Sequence, residues 1–374
     1  MRRILYVNSP SYVAGAEISL LTLMQNLDAK YYQAVLLTSE KGPLTQEAAL
    51  RGITWFAQPF PWFSRRCPWQ YGLSIYRLYR TIRANDIDLV HTNCDHSLRY
   101  VMHACGLARV PYISHVRDFV RTWFRPEKVA ALNRAARVIA NSHAVAQACI
   151  QAGIAEERVT TIYNPIDVEA FQAASPIAAL RLRSELNIPA TALVVGIVGQ
   201  IHPVKGHKEF IESGLQLVAR VPGIHFLIVG AAHGESNELF LAALKGRVLG
   251  STYADRFHFV GFRTDIPVMM KAIDILAVPS WTESFGRVAV EGMASGCAVV
   301  ATNAGGLPEI ITDGVDGLLI APRDVEALTA ALYQLCVDPE LRQQLSKRGQ
   351  VTAQRFTVAR HIQEVQFLYD EVLS

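Results

Sequence analysis

Short runs of aliphatic and β-branched residues alternate with amphipathic stretches along most of the 374-residue chain. The apolar runs predict buried strands, and the stretches between them carry apolar residues at helical spacing. Strand, helix and strand in succession predict a parallel sheet covered on both faces, that is, an α/β fold. In the first half the predicted strands are 3–8, 33–38, 53–57, 88–92, 111–115, 137–140 and 159–163, and the clearest helices are 15–27, 70–84 and 126–135.

The alternation pauses after residue 163 and then restarts, which predicts two Rossmann-like domains. We assign residues 1–167 to the first domain, 168–192 to a linker and 193–356 to the second domain. Residues 357–374 form one helical pattern with no strand after it, and we predict that this helix crosses back to the first domain. The predicted strands of the second domain are 193–199, 224–230, 256–261, 274–279 and 297–302.

Composition is consistent with a soluble two-domain protein. Hydrophobic residues make up 51% of the chain, enough for two cores. No stretch approaches the length of apolar residues that spans a membrane, and the N-terminal segment MRRILYVNSP reads as a first strand rather than a signal peptide. The six cysteines are scattered without metal or redox spacing, which is typical of reduced thiols in a cytoplasmic protein.

The net charge of +3 hides an asymmetry between the two halves. Residues 1–167 carry 19 Lys/Arg and 12 Asp/Glu, and the remainder carries 17 and 21. Such an imbalance indicates that the halves face different partners. A chance drift of solvated surface residues explains it equally well.

Two loops that follow predicted strands carry groups suited to binding an anion. Gly15 precedes a helix whose first backbone N–H groups point away from the helix, and Lys205 with Gly206 lies at a second loop–helix junction. Taken singly, each is more readily a turn glycine or a solvated lysine. Neither loop carries a dinucleotide fingerprint or a P-loop, which disfavours a nicotinamide dehydrogenase.

The strongest candidate segment follows the fourth strand predicted in the second half. Phe285, Gly286 and Arg287 begin a helix there and can offer backbone N–H groups to an anion. Glu283 precedes that helix, and Glu291 lies about two turns into it. Because two carboxylates repel a phosphate, they suit hydroxyl groups better. The alternative is that Glu283 merely favours the helix N-terminus and Glu291 is solvated.

His115 ends the predicted strand PYISH, at the edge of the sheet where ligands bind in α/β proteins. A histidine in that position can exchange a proton or donate a hydrogen bond near neutral pH. A single histidine at a strand end is more often structural, so the residue type alone leaves both interpretations open.

Taken together and in this order, these segments resemble glycosyltransferase family four, whose members have the GT-B fold, two Rossmann-like domains that face a central cleft. The resemblance covers nearly the whole chain. It rests on Ala14–Glu17, on His115 with Ser142, on Asn164–Asp167 with Phe171, on Gly199–Ile201 with Lys205–Gly206, on Glu283 with Glu291, and on Gly305, Gly306 and Glu309.

The resemblance implies how the diphosphate of a nucleotide-sugar donor is held. Lys205 would bind the diphosphate and stabilise it as leaving group, with help from the N–H groups near Gly286 and Gly15. Gln200 stands where the family carries arginine, which removes one positive charge from this site. Arg287 and Arg263 are the candidates to replace that charge.

The resemblance also implies contacts to the sugars. Glu291 would accept hydrogen bonds from the nucleotide ribose. Glu283, with the Phe285 and Gly286 amides, would lie at the hydroxyls of the transferred sugar, and His115 would contact that sugar near C6. Lys205, Glu283 and His115 are therefore the predicted catalytic residues.

The predicted reaction is transfer of a sugar from a UDP- or GDP-linked donor with retention of the anomeric configuration. Fixed cations or a metal must stabilise the departing diphosphate. No acidic pair lies beside the donor loops, so we predict that no metal or other cofactor is required. Two alternatives stay open: a GT-B sugar-nucleotide epimerase, and a non-catalytic GT-B binding subunit, for which Gln200 leaves room.

Aromatic and basic residues interleave in the first half and indicate the acceptor. Arg65 and Arg66 lie in one cluster, and Arg117, Arg121 and Trp123 in a second. This pairing suits an interface of apolar chains and anionic headgroups, so we predict a glycan or lipid-linked acceptor reached from the inner membrane face. The aromatics could equally fill the first domain's core. No nucleic-acid recognition motif accompanies the charge.

Overall fold

A computed structural model describes residues 1–61, 66–119 and 124–374. The chain divides into two compact units. The first comprises Met1–Pro165 together with Val358–Ser374, and the second comprises Ile166–Thr357. The α/β architecture predicted from the sequence is confirmed, with one parallel sheet in each unit.

The first unit contains a seven-stranded parallel sheet with the strand order β3-β2-β1-β4-β5-β6-β7. The order reverses at β1, so the loops after β1 and β4 leave the sheet next to each other. The strands are β1 (Arg2–Asn8), β2 (Tyr32–Thr38), β3 (Thr54–Ala57), β4 (Leu89–Thr92), β5 (Tyr112–Val116), β6 (Arg137–Ala140) and β7 (Val159–Thr161); the helices are α1 (Gly15–Asn26), α2 (Pro43–Leu50), α3 (Pro68–Ala84), α4 (Leu98–Ala108), α5 (Pro126–Leu132) and α6 (His143–Gln151).

The second unit contains a six-stranded parallel sheet with the order β10-β9-β8-β11-β12-β13. Here the order reverses at β8, so the loops after β8 and β11 are neighbours. The strands are β8 (Val194–Val198), β9 (His225–Val229), β10 (Phe257–Gly261), β11 (Ile275–Val278), β12 (Ala298–Thr302) and β13 (Leu318–Ile320); the helices are α7 (Val168–Gln172), α8 (Pro176–Glu185), α9 (His207–Val218), α10 (Glu235–Leu249), α11 (Ile266–Lys271), α12 (Arg287–Ser295), α13 (Leu307–Ile310), α14 (Val325–Val337) and α15 (Pro339–Ala353).

Each sheet is buried on both faces, and β1 shows how the sequence achieves this. Its residues 4–7 are all fully buried. Ile4 and Tyr6 contribute to one hydrophobic cluster, whereas Leu5 and Val7 contribute to another on the opposite face. Successive side chains of a strand point to opposite faces, so an uninterrupted apolar run supplies both layers of core.

The last helix, α16 (Val358–Leu373), packs on the first unit, as the sequence predicts. It buries Val365, Leu368 and Tyr369 in the cluster that contains Ile4 and Tyr6. The Tyr369 hydroxyl lies 2.9 Å from the Tyr6 hydroxyl, so this helix also satisfies a buried polar atom of the central strand.

Residues 168–192 differ from the predicted linker. They form α7 and α8 and belong to the second unit. Arg183 of α8 is buried, donates to the carbonyl of Ala272 at 3.0 Å and pairs with Asp274 at 2.9 Å. That carboxylate also accepts from the Val194 amide at 2.8 Å, so α8 is fixed to the start of β8 and β11. Long-range contacts of this kind leave no periodic signal in the sequence.

None of the helices in the described part of the chain is long and apolar enough to cross a membrane.

Candidate functional site

The switch in strand order of the second unit brings two loops together, one after β8 and one after β11. Glycines allow this approach. A Cβ atom on Gly206 would lie 2.1 Å from the carbonyl oxygen of Pro279, and Gly206 has a φ of +74°. Any larger residue would push the loops apart, so the glycine that follows Lys205 serves the contact between the two loops.

The two loops meet through an ion pair between predicted site residues. The Lys205 Nζ atom lies 2.6 Å from Glu283 Oε2, and the Ser280 hydroxyl donates to the same oxygen at 3.2 Å. The Lys205 side chain is 37% exposed and that of Glu283 is 16% exposed. The ammonium is therefore held in place by one loop yet remains open to solvent, where a second anion can reach it.

Two glycines, Gly305 and Gly306, pack against the backbone of the Glu283 loop. A Cβ atom on Gly305 would lie 1.9 Å from the Glu283 carbonyl oxygen, and the Gly306 amide donates to that oxygen at 2.8 Å. The family resemblance alone pointed to these glycines in the sequence. The structure shows why glycine is needed at Gly305, since a side chain there would collide with the Glu283 carbonyl. Their close packing fixes the direction in which the loop enters α12.

Helix α12 begins at the end of this loop. Gly286 precedes it with a φ of +111°, and a Cβ atom there would lie 2.7 Å from Leu307 Cδ2. Phe285 is buried beside it. The first-turn N–H groups of a helix carry partial positive charge, so this terminus and Lys205 give one region of the unit two separate sources of positive potential.

Arg287 and Glu291 form an ion pair along α12. Arg287 Nη2 lies 3.1 Å from Glu291 Oε1, and the two side chains are 17% and 11% exposed. A pair four residues apart on a helix faces one side of it, so Arg287 directs Glu291 toward the helix N-terminus. Gln200, by contrast, is exposed at the end of β8. Its role at the donor site stays a prediction.

The first unit presents a different arrangement where its strand order reverses. Asn93, after β4, donates to Asn8 Oδ1 at 2.9 Å, and Asn8 donates to Glu17 Oε1 at 3.3 Å. Glu17 Oε2 accepts from the Ala14 amide at 3.1 Å. Burial raises the pKa of the Glu17 carboxyl. The Gly15 loop is therefore fixed by a buried hydrogen-bonded chain at the N-terminus of α1.

Arg117 belongs to this buried chain, which corrects its predicted place on an exposed acceptor or membrane face. It is only 6% exposed. Its Nε donates to Asn93 Oδ1 at 2.6 Å, its Nη1 donates to Asn164, and its carbonyl accepts from Asn141. The residue directly follows a central strand, and the surrounding strand ends cover it.

The other residues predicted for the membrane face divide into two groups. Arg66 is exposed, as that prediction requires. Arg65, Arg121 and Trp123 lie outside the described residues.

His115 is fully buried on β5, and its ring stacks on that of His91 with 5.6 Å between centroids. His91 Nδ1 lies 2.6 Å from the Tyr369 hydroxyl. Burial lowers the pKa of His91 to about 3 and that of His115 well below its usual value, with the Arg117 charge acting in the same direction. Both imidazoles are therefore neutral at pH 7. Among the described residues, neither ring nitrogen of His115 has a hydrogen-bond partner.

Three side chains near the Lys205–Glu283 pair, those of Trp281, Glu209 and Arg323, were not predicted from the sequence. Trp281 donates its indole N–H to Glu209 Oε1 at 2.8 Å, and the Arg323 guanidinium stacks 4.1 Å above its ring. A tryptophan two residues before a candidate glutamate was a visible signal. Its partners were not, because they lie on α9 and before α14, far away in sequence.

No group of three or more His, Cys, Asp or Glu side chains within residues 1–61, 66–119 and 124–374 is arranged to hold a metal ion. Metal independence stays a prediction.

Two family models match the chain in succession. The model described as Glycosyltransferase Family 4 matches residues 13–170, and that described as Glycosyl transferases group 1 matches residues 180–352. Among curated proteins, the D-inositol 3-phosphate glycosyltransferase of Saccharomonospora viridis is 34% identical over 225 residues, which are 59% of this chain and 52% of that protein. The protein of the same name from Corynebacterium jeikeium is 34% identical over 209 residues, 55% of this chain and 50% of that one. The chain thus spans about half the length of the curated relatives it matches.

Solved structures match over the whole chain. Anabaena HepE in complex with UDP is 28% identical, with a TM-score of 0.88 over 99% of this chain and 100% of that chain. The HepE complex with UDP-glucose has a TM-score of 0.86 at the same identity and coverage. A glycosyltransferase from Rickettsia africae, at 20% identity and a TM-score of 0.88, covers 100% of this chain and 99% of that chain and supports the fold alone. With two family matches in tandem and the GT-B fold of these neighbours, the chain belongs to glycosyltransferase family four.

Proposed function

We propose that this protein is a glycosyltransferase that moves a sugar from a nucleotide-diphosphate donor to an acceptor. The observation that carries the proposal is the Lys205–Glu283 pair at the switch point of the second sheet. A partly exposed ammonium beside a helix N-terminus suits a diphosphate, and a carboxylate next to it suits the hydroxyls of the attached sugar.

The donor is proposed to be a UDP-sugar in the first instance. The complexes of Anabaena HepE with UDP and UDP-glucose support this choice over a GDP-sugar, since that protein matches the chain end to end. Glu291, which Arg287 directs toward the N-terminus of α12, is proposed to accept hydrogen bonds from the ribose.

The chemical step is proposed to need no metal and to retain the anomeric configuration. As the bond from sugar C1 to the diphosphate oxygen breaks, negative charge develops on the leaving group, and Lys205 with the α12 N–H groups stabilises it. The acceptor hydroxyl bonds to C1 and passes its proton to the departing diphosphate oxygen, and the nucleoside diphosphate is released. His115, neutral in its buried position, is proposed to donate or accept a hydrogen bond at the sugar rather than to act as a charged group.

The acceptor is proposed to be a glycan or a lipid-linked molecule, used in the synthesis of cell-surface polysaccharide or glycolipid. The exposed face of α3 supports an acceptor at an anionic membrane surface. Trp69, Leu73 and Tyr76 are 64%, 39% and 53% exposed, although they are large and apolar. Arg77 and Arg80 flank them, and with Leu73 and Tyr76 they line a surface groove of about 630 Å³.

The names of the curated relatives point to another acceptor class, the phosphate ester of a cyclic polyol. The arrangement on α3 is what favours the membrane. Apolar side chains spaced three and four residues apart on a helix form one stripe, and arginines beside such a stripe suit anionic headgroups. The protein is accordingly proposed to be cytoplasmic and peripheral at the inner membrane face.

Donor use is tested by isothermal titration with UDP-glucose, GDP-mannose and the free nucleotides, followed by NMR of the product formed with added acceptor. We expect one donor class to bind and nucleoside diphosphate to appear only when acceptor is present. Conversion of the donor sugar to its epimer without acceptor would replace the proposal with an epimerase. Donor binding without any turnover across an acceptor panel would indicate a binding subunit.

Membrane contact is tested by sedimentation with anionic and neutral vesicles at low and high salt. The double variant Arg77→Ala/Arg80→Ala should weaken binding to anionic vesicles about 10-fold or more, since each basic residue at such a surface contributes about 1 kcal/mol. Arg181→Ala, which removes an exposed arginine of the second unit, is the matched control. Binding that is absent at low salt, or equal for both variants, would remove the membrane from the proposal and leave the transferase activity in place.

A further inference from the structure

We propose that Trp281 is a positioning residue that holds the loop carrying Lys205 and the loop carrying Glu283 at the separation their ion pair requires. The inference rests on the proposed function, because it concerns the geometry of the site assigned to the donor diphosphate. It adds to that site a residue that would not touch the donor itself but would set where the ammonium stands.

Two hydrogen bonds connect Trp281 to the other loop. Its backbone amide donates to the carbonyl of Val204 at 2.8 Å, and its indole N–H donates to Glu209 Oε1 at 2.8 Å. Val204 immediately precedes Lys205, and Glu209 lies in the first turn of the helix that follows it. Since Trp281 is also two residues before Glu283, one residue spans both sides of the ion pair.

The Glu209 carboxylate is well suited to accept the hydrogen bond from Trp281. It is only 8% exposed, and a buried carboxylate needs hydrogen-bond donors. The indole N–H supplies one in a fixed direction, because the ring is rigid and the tryptophan side chain has few rotatable bonds. The hydrogen bond therefore transmits the position of α9, and with it that of Lys205, to the loop after β11.

Arg323 packs on one face of the same ring. Its guanidinium carbon lies 4.1 Å from the ring centroid, although the side chain is exposed. Its backbone has a φ of +62°, in the left-handed region that residues other than glycine disfavour. A strained backbone persists where surrounding contacts require it, and such positions concentrate at functional sites. Here the residue with this backbone conformation is the one whose cation lies over Trp281.

These contacts matter for turnover because the Lys205–Glu283 ion pair, which also joins the loops, is a contact that the reaction must alter. When a diphosphate binds Lys205, the ammonium is shared between Glu283 and the phosphate oxygens. The separation of the loops then depends on the contacts that remain, which include the close approach of Gly206 to Pro279 and the two hydrogen bonds of Trp281. Displacement of a stabilising cation by about 1 Å can lower a rate about 100-fold.

The test compares the steady-state kinetics of Trp281→Phe, Glu209→Ala, Glu209→Gln and the double variant Trp281→Phe/Glu209→Ala. Rates are normalised to the number of donor-binding sites measured by calorimetry, so that misfolded protein does not count. Phenylalanine keeps a ring beneath Arg323 but has no N–H. Glutamine keeps an oxygen that accepts from the indole.

We expect Trp281→Phe and Glu209→Ala each to lower kcat about 10-fold while donor KM stays within about two-fold, because the contact orients a group that acts on the leaving group. The double variant should be no worse than about three-fold below either single variant, since both remove the same hydrogen bond. Glu209→Gln should recover most of the wild-type kcat. Arg323→Ala should also lower kcat, whereas Arg220→Ala, which removes an arginine stacked 4.0 Å over Tyr333, should not.

Wild-type kcat per binding site in Trp281→Phe and Glu209→Ala would overturn the inference. So would multiplicative losses in the double variant, or a Glu209→Gln variant as slow as Glu209→Ala. The variant Lys205→Ala separates this failure from failure of the proposed function. If Lys205→Ala abolishes turnover while the Trp281 and Glu209 variants are unaffected, only the positioning role is lost; if Lys205→Ala is fully active, the assigned donor site is itself wrong.

Discussion

The two sheets reverse their strand order in the same way, yet the side chains at the two reversals differ in kind. In the second unit they are ion pairs, Lys205 with Glu283 and Arg287 with Glu291, of which Lys205 is the most exposed member. In the first unit they are buried groups, namely asparagine amides bonded to Arg117 and Glu17, and the neutral imidazole of His115. The same topology thus supports a charged edge that is partly open to solvent in one unit and an enclosed edge of buried polar groups in the other.

The difference indicates how a two-unit transferase divides its work. A diphosphate carries charge that fixed cations must balance, and exposed cations can exchange one anionic partner for another. A sugar carries only hydroxyls, which neutral donors and acceptors recognise at a lower desolvation cost. Under the proposed function the second unit deals with charge and the first with the shape and hydrogen bonds of an uncharged group.

The largest expected effect comes from removing the charge of the exposed edge. Lys205→Ala should lower kcat about 10²- to 10³-fold, because loss of one donor to a developing oxyanion has effects of that size. The measurement is initial-rate kinetics at saturating donor. Lys208→Ala, an exposed lysine three residues further along, is the control and should behave as wild type. Near-wild-type turnover by Lys205→Ala would show that the charged edge is not where the leaving group is stabilised.

The two glutamates of the charged edge should differ from each other. Glu291→Ala should raise donor KM about 10-fold with kcat nearly unchanged, because a ribose contact is equally strong in the ground and transition states. Glu283→Ala should lower kcat as well, because it removes the partner of Lys205 next to the reacting sugar. Identical effects confined to KM would contradict separate roles.

The buried His91 imidazole beside the enclosed edge should make the free energy of unfolding depend on pH. Burial holds the pKa of His91 at about 3 in the folded chain, below the value near 6.5 of an unfolded histidine. The stability that this neutral imidazole contributes is therefore complete above about pH 6.5. Below that, protonation of the unfolded state removes it at about 1.4 kcal/mol per pH unit.

Urea unfolding at pH 7.5 and pH 5.0 measures this effect. The free energy of unfolding should fall toward pH 5.0, and His91→Leu should reduce that fall by about 2 kcal/mol. His233→Leu, at an exposed position of the second unit, should leave the pH dependence unchanged. An unchanged pH dependence in His91→Leu would mean that the buried edge tolerates charge.

The smallest expected effect is that of chelation. If the fixed cations of the second unit balance the diphosphate, excess EDTA should change the initial rate by less than about two-fold. Loss of activity with EDTA and recovery with Mn²⁺ would assign that charge to a metal ion and would weaken the contrast between the two edges.

Much of the fold follows from the sequence because it depends on local patterns. Buried parallel strands are continuous apolar runs, and twelve of the thirteen strands found in the described residues lie within or beside the segments predicted from such runs. The strand that was not predicted, β13, has only three residues, Leu318–Ile320, so its apolar run is too short to indicate a strand. Helices α7 and α8 were assigned to a linker because the contacts that hold α8 in place, such as that of Arg183 with Asp274, join residues far apart in the sequence. No local pattern indicates such contacts.

The candidate site was predictable where one segment carries it and hidden where distant segments meet. Glu283, Phe285 and Gly286 come from one loop, so their grouping before α12 was predictable from their order, whereas their roles stay predictions. Arg117 was misplaced because its neighbours in sequence are aromatic and basic, whereas its hydrogen-bond partners Asn93 and Asn164 are 24 and 47 residues away. The composition of neighbouring residues predicted an exposed position for Arg117. Whether a side chain is buried depends on which distant segments the fold places around it.

The return of α16 to the first unit has a consequence for synthesis on the ribosome. The sheet it covers is complete by Pro165, but the helix follows the 192 residues of Ile166–Thr357. At about 5 to 20 residues per second, that interval lasts about 10 to 40 s. During it the face of the sheet that contains Ile4 and Tyr6 lacks its helix, so the nascent first unit exposes an apolar surface of the kind that chaperones bind, while the second unit can finish folding before the first.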